Sequence, residues 1–112
     1  MEGIFRHPKM ELVTIVGGSM VLERFGLPCR DLPYRIDGCV FCEVESNMSM
    51  SIGLATQGFA QHLKRLQVDY CIVIGDRFET LGAATAAACL RIPLIHFQGF
   101  EDSGTLDDKW RR

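Results

Sequence analysis

The stretch from residue 69 to residue 97 constrains the fold of this chain most strongly, because three elements of different periodicity follow one another there. Asp69 to Ile74 is a continuous run of strand type. Phe78 to Leu90 is rich in alanine and leucine, which is typical of a helix packed closely on a sheet. Pro93 to Phe97 is a second strand-type run. Strand, helix and strand in this order predict a parallel β-α-β unit.

The residues before this unit supply two more strands. Leu12 to Val16 is a short β-branched run closed by Gly17 and Gly18, as expected of a buried strand followed by a turn. The glycine and proline content of residues 26–33 predicts a loop. A short strand is expected around Val40.

A long helix is predicted to follow. From Ser46 to near Gln67 the apolar residues recur at helical spacing, and Ser46 or Asn47 can cap the helix start. The alternation of strands and helices along the chain predicts an α/β fold with a doubly wound parallel sheet.

Composition limits the partners that such a domain can have. The 112 residues allow one domain at most, and a formal net charge of −2 offers no basic surface for nucleic acid or an anionic membrane. The sequence contains no apolar run long enough to cross a bilayer and no secretory leader at its start. We therefore expect a cytoplasmic protein.

The cysteines do not predict a metal or redox site. The five cysteines are an odd number, and Cys39 and Cys42 form a single CxxC without a second pair or a nearby histidine. A tetrahedral zinc site needs four ligands. We therefore predict neither a metal nor another cofactor.

Carboxylates follow the two most apolar strands. Asp76 comes two residues after Ile74, and Glu101 comes four residues after Phe97. Ligands of open parallel sheets bind beyond the carboxyl ends of the strands, so both acids are expected at one crevice, where a carboxylate pair can divide into acid and base. The alternative, that Asp76 caps a helix and that residues 101–108 form a solvated loop, remains open.

Two neighbouring residues bear on whether Asp76 belongs to a ligand-binding crevice or caps a helix. A cation such as Arg77 at a helix N-terminus opposes the helix dipole, which favours a local anion beside it. His96, on the second strand, is expected to be a hydrogen-bonded core or rim histidine and remains a candidate proton relay.

The same segments resemble the hydrolysing UDP-N-acetylglucosamine 2-epimerases. The resemblance rests on Ile74-Gly75-Asp76-Arg77-Phe78-Glu79, on Ile92-Pro93-Leu94-Ile95-His96, and on Glu101-Asp102-Ser103-Gly104-Thr105-Leu106-Asp107-Asp108. It implies a parallel, Rossmann-like three-layer sandwich that is part of the first domain of a two-domain, GT-B-like fold. Residues 1–112 would then form a partial domain without that family's first strand and second domain.

The resemblance also implies a reaction and its residues. The family converts UDP-N-acetylglucosamine to N-acetylmannosamine and UDP through a glycal, as in the synthesis of sialic-acid-type sugars. By position, the catalytic residues are Asp76, Glu101 and Asp108. The residues expected to bind substrate are Arg77, His96, Ser103, Asp107 and Arg111.

The resemblance leaves two expectations for the chain by itself. As a partial domain it is expected to be an inactive epimerase fragment, or alternatively a non-catalytic module that binds a partner. A homo-oligomer is among the expected assemblies. In either case an uncovered apolar sheet face or edge is expected.

Overall fold

The computed structural model describes residues 1–98, which form a parallel α/β arrangement. The strands are β1 (Ile15–Gly17), β2 (Gly38–Val40), β3 (Cys71–Ile74) and β4 (Leu94–Phe97), and the helices are α1 (Glu2–Phe5), α2 (Met48–Leu66) and α3 (Phe78–Cys89). Three short 3-10 turns, Gly18–Val21, Glu23–Phe25 and Pro28–Asp31, lie between β1 and β2. Each predicted strand and both predicted long helices are present, although β1, β3 and β4 are shorter than the predicted runs. Within this described part, no helix combines the length and apolar character needed to cross a bilayer.

The four strands form two parallel pairs. Ile15 of β1 lies opposite Gly38 of β2, and Cys71 of β3 lies opposite Leu94 of β4. The sequence pattern predicts one sheet, but in residues 1–98 no ladder joins the two pairs. Strands that are consecutive in sequence need not be neighbours, and here the crossover through α2 leads from β2 to a strand of the other pair.

Helices α2 and α3 pack together and hold the two strand pairs in one core. A close approach occurs at Gly82 of α3, where an added Cβ would lie 2.5 Å from the Ala55 Cβ and 3.0 Å from the backbone nitrogen of Thr56. The alanine-rich sequence of α3 permits this approach because small side chains keep the helix axes close. One buried cluster joins both helices with β2 and β3: Val40, Cys42, Ala55, Phe59, Leu63, Cys71, Val73, Phe78, Ala83, Ala86 and Ala87.

The ends of α2 follow from local backbone chemistry. The sequence allows Ser46 or Asn47 as the N-cap, and the structure selects Asn47, whose Oδ1 accepts a hydrogen bond from the backbone N–H of Met50 at 3.0 Å. The helix ends at Gln67, which adopts a left-handed conformation with φ +49°.

The outer face of the β3–β4 pair is apolar and exposed. Ile72 and Ile74 are 40% and 52% exposed, and they lie opposite Ile95 and Phe97, which are 40% and 54% exposed. On the opposite face of β3, Cys71 and Val73 belong to the core. The expectation of an uncovered apolar sheet face is therefore confirmed for the described residues.

Asp37 ties the amino ends of β1 and β2 together. Its carboxylate accepts a hydrogen bond from the backbone N–H of Thr14 at 3.0 Å, and its own N–H donates to the Thr14 carbonyl at 2.8 Å. Arg35 pairs with the same carboxylate at 2.8 Å. The Thr14 N–H, with smaller contributions from Arg35 and Arg65, holds the pKa of Asp37 below its usual range.

The Gly82 approach can be tested with two matched alanine substitutions. We expect Gly82→Ala to lower the free energy of unfolding by about 1 to 3 kcal/mol, because overpacking outweighs the gain in helix propensity. Gly53→Ala is the control: Gly53 lies inside α2 with no atom within 4 Å of an added Cβ, so stability should rise by up to about 1 kcal/mol. Urea denaturation measures both. Equal stabilisation by the two substitutions would contradict the close approach.

The Asp37 contacts predict a pH dependence. A depressed folded-state pKa stabilises the fold above the unfolded-state pKa, about 3.9, and this contribution is lost as pH falls through the folded-state value. We expect Asp37→Asn to cost about 1 kcal/mol at pH 7. The difference from wild type should shrink below about pH 4, as measured by urea denaturation across the acid range. A difference that stays constant as pH falls would show that the Asp37 charge does not stabilise the fold.

Candidate functional site

The carboxyl ends of β3 and β4 lie at one edge of their sheet. The strands are parallel, Ile74 lies opposite Phe97, and the N–H of Gly75 donates to the Phe97 carbonyl at 2.9 Å. We call Gly75, Asp76, Arg77 and His96 the edge cluster. Because ligands of open parallel sheets bind beyond this end of the strands, the edge cluster is the candidate site.

Gly75 and Asp76 form the turn between β3 and α3. Gly75 has φ +84°, a left-handed conformation that favours glycine. Asp76 is half-buried. Helix α3 begins at Phe78, with Arg77 in the N-cap position. The alternative that Asp76 caps a helix starting at Arg77 is therefore wrong, because the helix starts one residue later.

Arg77 finds its counter-charge within the chain. Its Nε lies 2.9 Å from Oε1 of Glu79, and its guanidinium lies 5.8 Å from the centre of the Phe78 ring. The sequence predicts a local anion beside a cation at this helix terminus, and Glu79 in the first turn of α3 supplies that negative charge.

His96 links β4 to the turn that carries Asp76. Its side chain is exposed, and its Nε2 lies 2.6 Å from the Gly75 carbonyl oxygen. A carbonyl only accepts, so Nε2 carries the hydrogen and donates it. The expectation of a hydrogen-bonded rim histidine is confirmed, and this bond fixes the ring beside the edge cluster.

Residues from the other strand pair reach the same region. Gly18 follows β1 with φ +57°, and an added Cβ would lie 2.4 Å from Oε1 of Glu79. Cys42, just beyond β2, is buried, and this burial raises the pKa of its thiol, while a hydrogen bond from the Gly18 N–H acts in the opposite direction. Glu79 therefore contacts the carboxyl ends of both strand pairs.

Glu79 is the residue to which sequence reasoning assigned no role. It appeared only as part of the motif that follows β3. The available signal was its position: an acid two residues after Arg77 falls in the first turn of the helix and close to the cation. Its Oε2 is buried and has no hydrogen-bond partner within residues 1–98.

A cleft of about 580 Å³ opens beside Phe78. Its wall includes Glu23, Glu43 and Glu45 and one cation, Arg24, which forms an ion pair with Glu43. Excess negative charge disfavours an anionic group there. The cleft is therefore a poor site for a diphosphate.

Several predicted site residues lie outside the described part of the chain. These are Glu101, Ser103, Asp107, Asp108 and Arg111. The structure thus brings together Asp76, Arg77 and His96 from the predicted set, and roles for the others remain predictions.

The described residues contain no group of three or more histidines, cysteines or acids arranged to hold a metal ion. The two cysteines of the CxxC differ in environment, since Cys39 is exposed and Cys42 is buried.

Comparison with known proteins identifies related chains. A sequence model of the UDP-N-acetylglucosamine 2-epimerase family matches residues 4–112. The UDP-N,N'-diacetylbacillosamine 2-epimerase (hydrolyzing) of Legionella pneumophila is 41% identical over 66 residues, which are 59% of this chain and 18% of that protein.

Two solved structures share the fold. A crystal structure of a UDP-N-acetylglucosamine 2-epimerase superposes with a TM-score of 0.82 at 15% identity, covering 98% of this chain and 31% of the other. The Neisseria meningitidis UDP-GlcNAc 2-epimerase bound to UDP-GlcNAc gives a TM-score of 0.74 at 16% identity, covering 98% and 32%.

These likenesses confirm the predicted parallel, Rossmann-like α/β class as part of a GT-B-like fold. The chain spans less than a third of the length of each of these three proteins. Because the family model covers nearly all of the sequence, the chain belongs to the UDP-N-acetylglucosamine 2-epimerase family.

Proposed function

We propose that this chain supplies the acid–base residues of a hydrolysing 2-epimerase that acts on a UDP-linked 2-acetamido sugar. The observation that carries the proposal is the half-buried Asp76 at the carboxyl edge of a parallel strand pair, in a chain of the epimerase family. The Legionella relative is named as a hydrolysing enzyme, and the Neisseria structure holds UDP-GlcNAc. UDP-N-acetylglucosamine is therefore the first substrate to test.

The proposed chemistry has two steps. A carboxylate removes the proton from C2 of the sugar while the bond from C1 to the UDP oxygen breaks on the opposite face, which leaves a glycal and UDP. Water then adds its oxygen at C1, and a carboxylic acid returns a proton to C2 from the other face, which gives N-acetylmannosamine. Asp76 and Glu101 are proposed for these proton transfers, with Asp108 as a third catalytic acid.

Charged and polar groups are proposed to hold the nucleotide sugar. Arg77 would bind the diphosphate, because guanidinium groups form paired hydrogen bonds with phosphate oxygens. His96, Ser103, Asp107 and Arg111 are the other proposed substrate-binding residues. The free sugar would enter the synthesis of sialic-acid-type sugars. The five free cysteines favour the reducing cytoplasm as its location.

We infer that the diphosphate needs contacts from outside residues 1–98. The charged residues that line the described cleft are three acids and one arginine, and Arg77 is already paired with Glu79. The related proteins are more than three times as long as the matched segments. A further structural unit is therefore proposed to supply cations, since positioning of the leaving group contributes much of the rate enhancement.

A second candidate function is a non-catalytic module that binds another protein, including a second copy of this chain. The exposed face of Ile72, Ile74, Ile95 and Phe97 favours it, because parallel sheets are normally covered on both faces. A module of this kind needs neither Asp76 nor Glu101. Substitution of these acids therefore separates the two functions.

The proposal predicts two activity results. The isolated 112-residue chain should release no UDP from UDP-N-acetylglucosamine. A chimera in which the 112-residue chain replaces the matching segment of the Neisseria enzyme should release UDP. The rate of this release should fall by about 100-fold to 10,000-fold in Asp76→Asn and in Glu101→Gln. A coupled assay for UDP measures both.

Asp69→Asn is the matched control, because Asp69 is exposed and lies just before β3, at its opposite end. It should leave the chimera's activity within about twofold, as expected for a surface charge distant from the chemistry. A folded chimera that keeps full activity in Asp76→Asn would refute the catalytic role. UDP release by the isolated chain would refute the need for a further unit.

A further inference from the structure

Glu79 is held against the chain on two sides. Its side chain is 15% exposed, whereas that of Arg77 is 49% exposed. Its Oε1 meets Nε of Arg77 at 2.9 Å on one side. On the other side lies Gly18, where even a Cβ would overlap the carboxylate at 2.4 to 2.6 Å. Glu79 therefore lies between Arg77 and the backbone of Gly18.

Gly18 is itself fixed by its neighbours. It follows β1 directly, adopts φ +57° and lies beside the buried Cys42. The resulting chain of contacts runs from Cys42 through Gly18 and Glu79 to Arg77. It connects the carboxyl end of the β1–β2 pair to the edge cluster of the β3–β4 pair.

The closest contact between the two side chains joins Nε of Arg77 to Oε1 of Glu79. The Arg77 side chain remains 49% exposed, so its guanidinium is accessible to a ligand. Two Nη groups held in a known plane match the oxygens of a phosphate, and a long arginine side chain otherwise loses rotamer freedom when it binds. A carboxylate that fixes this plane in advance removes part of that loss.

We propose that Glu79 is a positioning residue: packed against Gly18, it orients the Arg77 guanidinium toward the diphosphate of the nucleotide sugar. This inference rests on the proposed function, because it takes the diphosphate as the ligand of Arg77. Glu79 itself does not touch the substrate in this account. Its favourable effect on binding acts through Arg77.

The negative charge of Glu79 works against this role. A carboxylate near a diphosphate repels it, so removal of the charge alone strengthens binding. Loss of orientation weakens binding. Two substitutions separate the effects. Glu79→Gln removes the charge but keeps a side-chain oxygen near Nε of Arg77, whereas Glu79→Met, of similar length, removes both the charge and the oxygen.

The test uses two measurements: NMR of the 112-residue chain, and UDP titration of the chimera with the Neisseria enzyme, in which the proposed further contacts to the diphosphate are present. The first is the side-chain Nε–H signal of Arg77, which we expect to be observed and slowly exchanging in wild type and in Glu79→Gln, and lost in Glu79→Met. The second is titration with UDP. Glu79→Met should weaken UDP binding by at least about fivefold, and Glu79→Gln should bind at least as tightly as wild type.

Arg77→Ala provides the coupling control. Its loss of UDP affinity should equal or exceed that of Glu79→Met, and adding Glu79→Met to Arg77→Ala should cause no further loss, because Glu79 acts only through Arg77. Full additivity of the two losses would overturn the proposal. So would equal tightening of UDP binding in Glu79→Met and Glu79→Gln, which is the result expected from charge alone.

The two readouts distinguish this inference from the proposed function. An Arg77 Nε–H signal that survives Glu79→Met overturns positioning, whatever happens to UDP. Unchanged UDP affinity in Arg77→Ala, with the signal present and dependent on Glu79, overturns diphosphate binding by Arg77. In that case the contact between Glu79 and Arg77 is structural, and the positioning role falls with it.

Discussion

The close packing of α2 on α3 is the contact on which the rest of this structure depends. The two parallel strand pairs share no hydrogen-bond ladder in residues 1–98, so helix packing, rather than a continuous sheet, holds them in one body. Gly82 against Ala55 sets how closely the helices approach. Because α3 begins at the edge cluster, the same packing places Arg77 and Glu79 beside Gly18.

This arrangement gives the two ends of the strands different roles. At the amino ends, Asp37 uses its carboxylate to bind backbone and arginine groups, and the result is local stability. At the carboxyl ends, Asp76 and Arg77 lie in a turn, and Glu79 contacts residues that follow two different strands. Carboxylates therefore lie near both ends of the strands, but only those at the carboxyl ends lie where a parallel sheet binds ligands.

Much of the fold could be predicted from the sequence. The positions of α2, α3, β3 and β4 follow from periodicity and from the glycine and proline punctuation, because these elements are set by local pattern. The separation of the strands into two pairs could not be predicted in this way. It depends on where the α2 crossover places β3, which is a tertiary property.

The candidate site was predictable only in part. Asp76 and His96 could be placed at the edge because they follow or end apolar strands. Glu79 was missed, since its role depends on Gly18, which is about sixty residues earlier in the sequence and meets it only in the folded chain. The sequence predicts an anion beside Arg77 but does not identify it as Glu79, whose side chain turns back to Arg77 only in the folded chain.

The central proposal predicts that Glu101 lies near Asp76, at the carboxyl edge of β3 and β4. The most direct test attaches a spin label to the cysteine of a Glu101→Cys variant. Cys29, Cys39 and Cys89 are replaced by serine in this variant, and NMR measures the broadening of its backbone amide signals. The account predicts strong broadening at Gly75 and Asp76 and weak broadening at Asp69, because β3 separates these positions by at least about 13 Å. Stronger broadening at Asp69 than at Asp76 would contradict it.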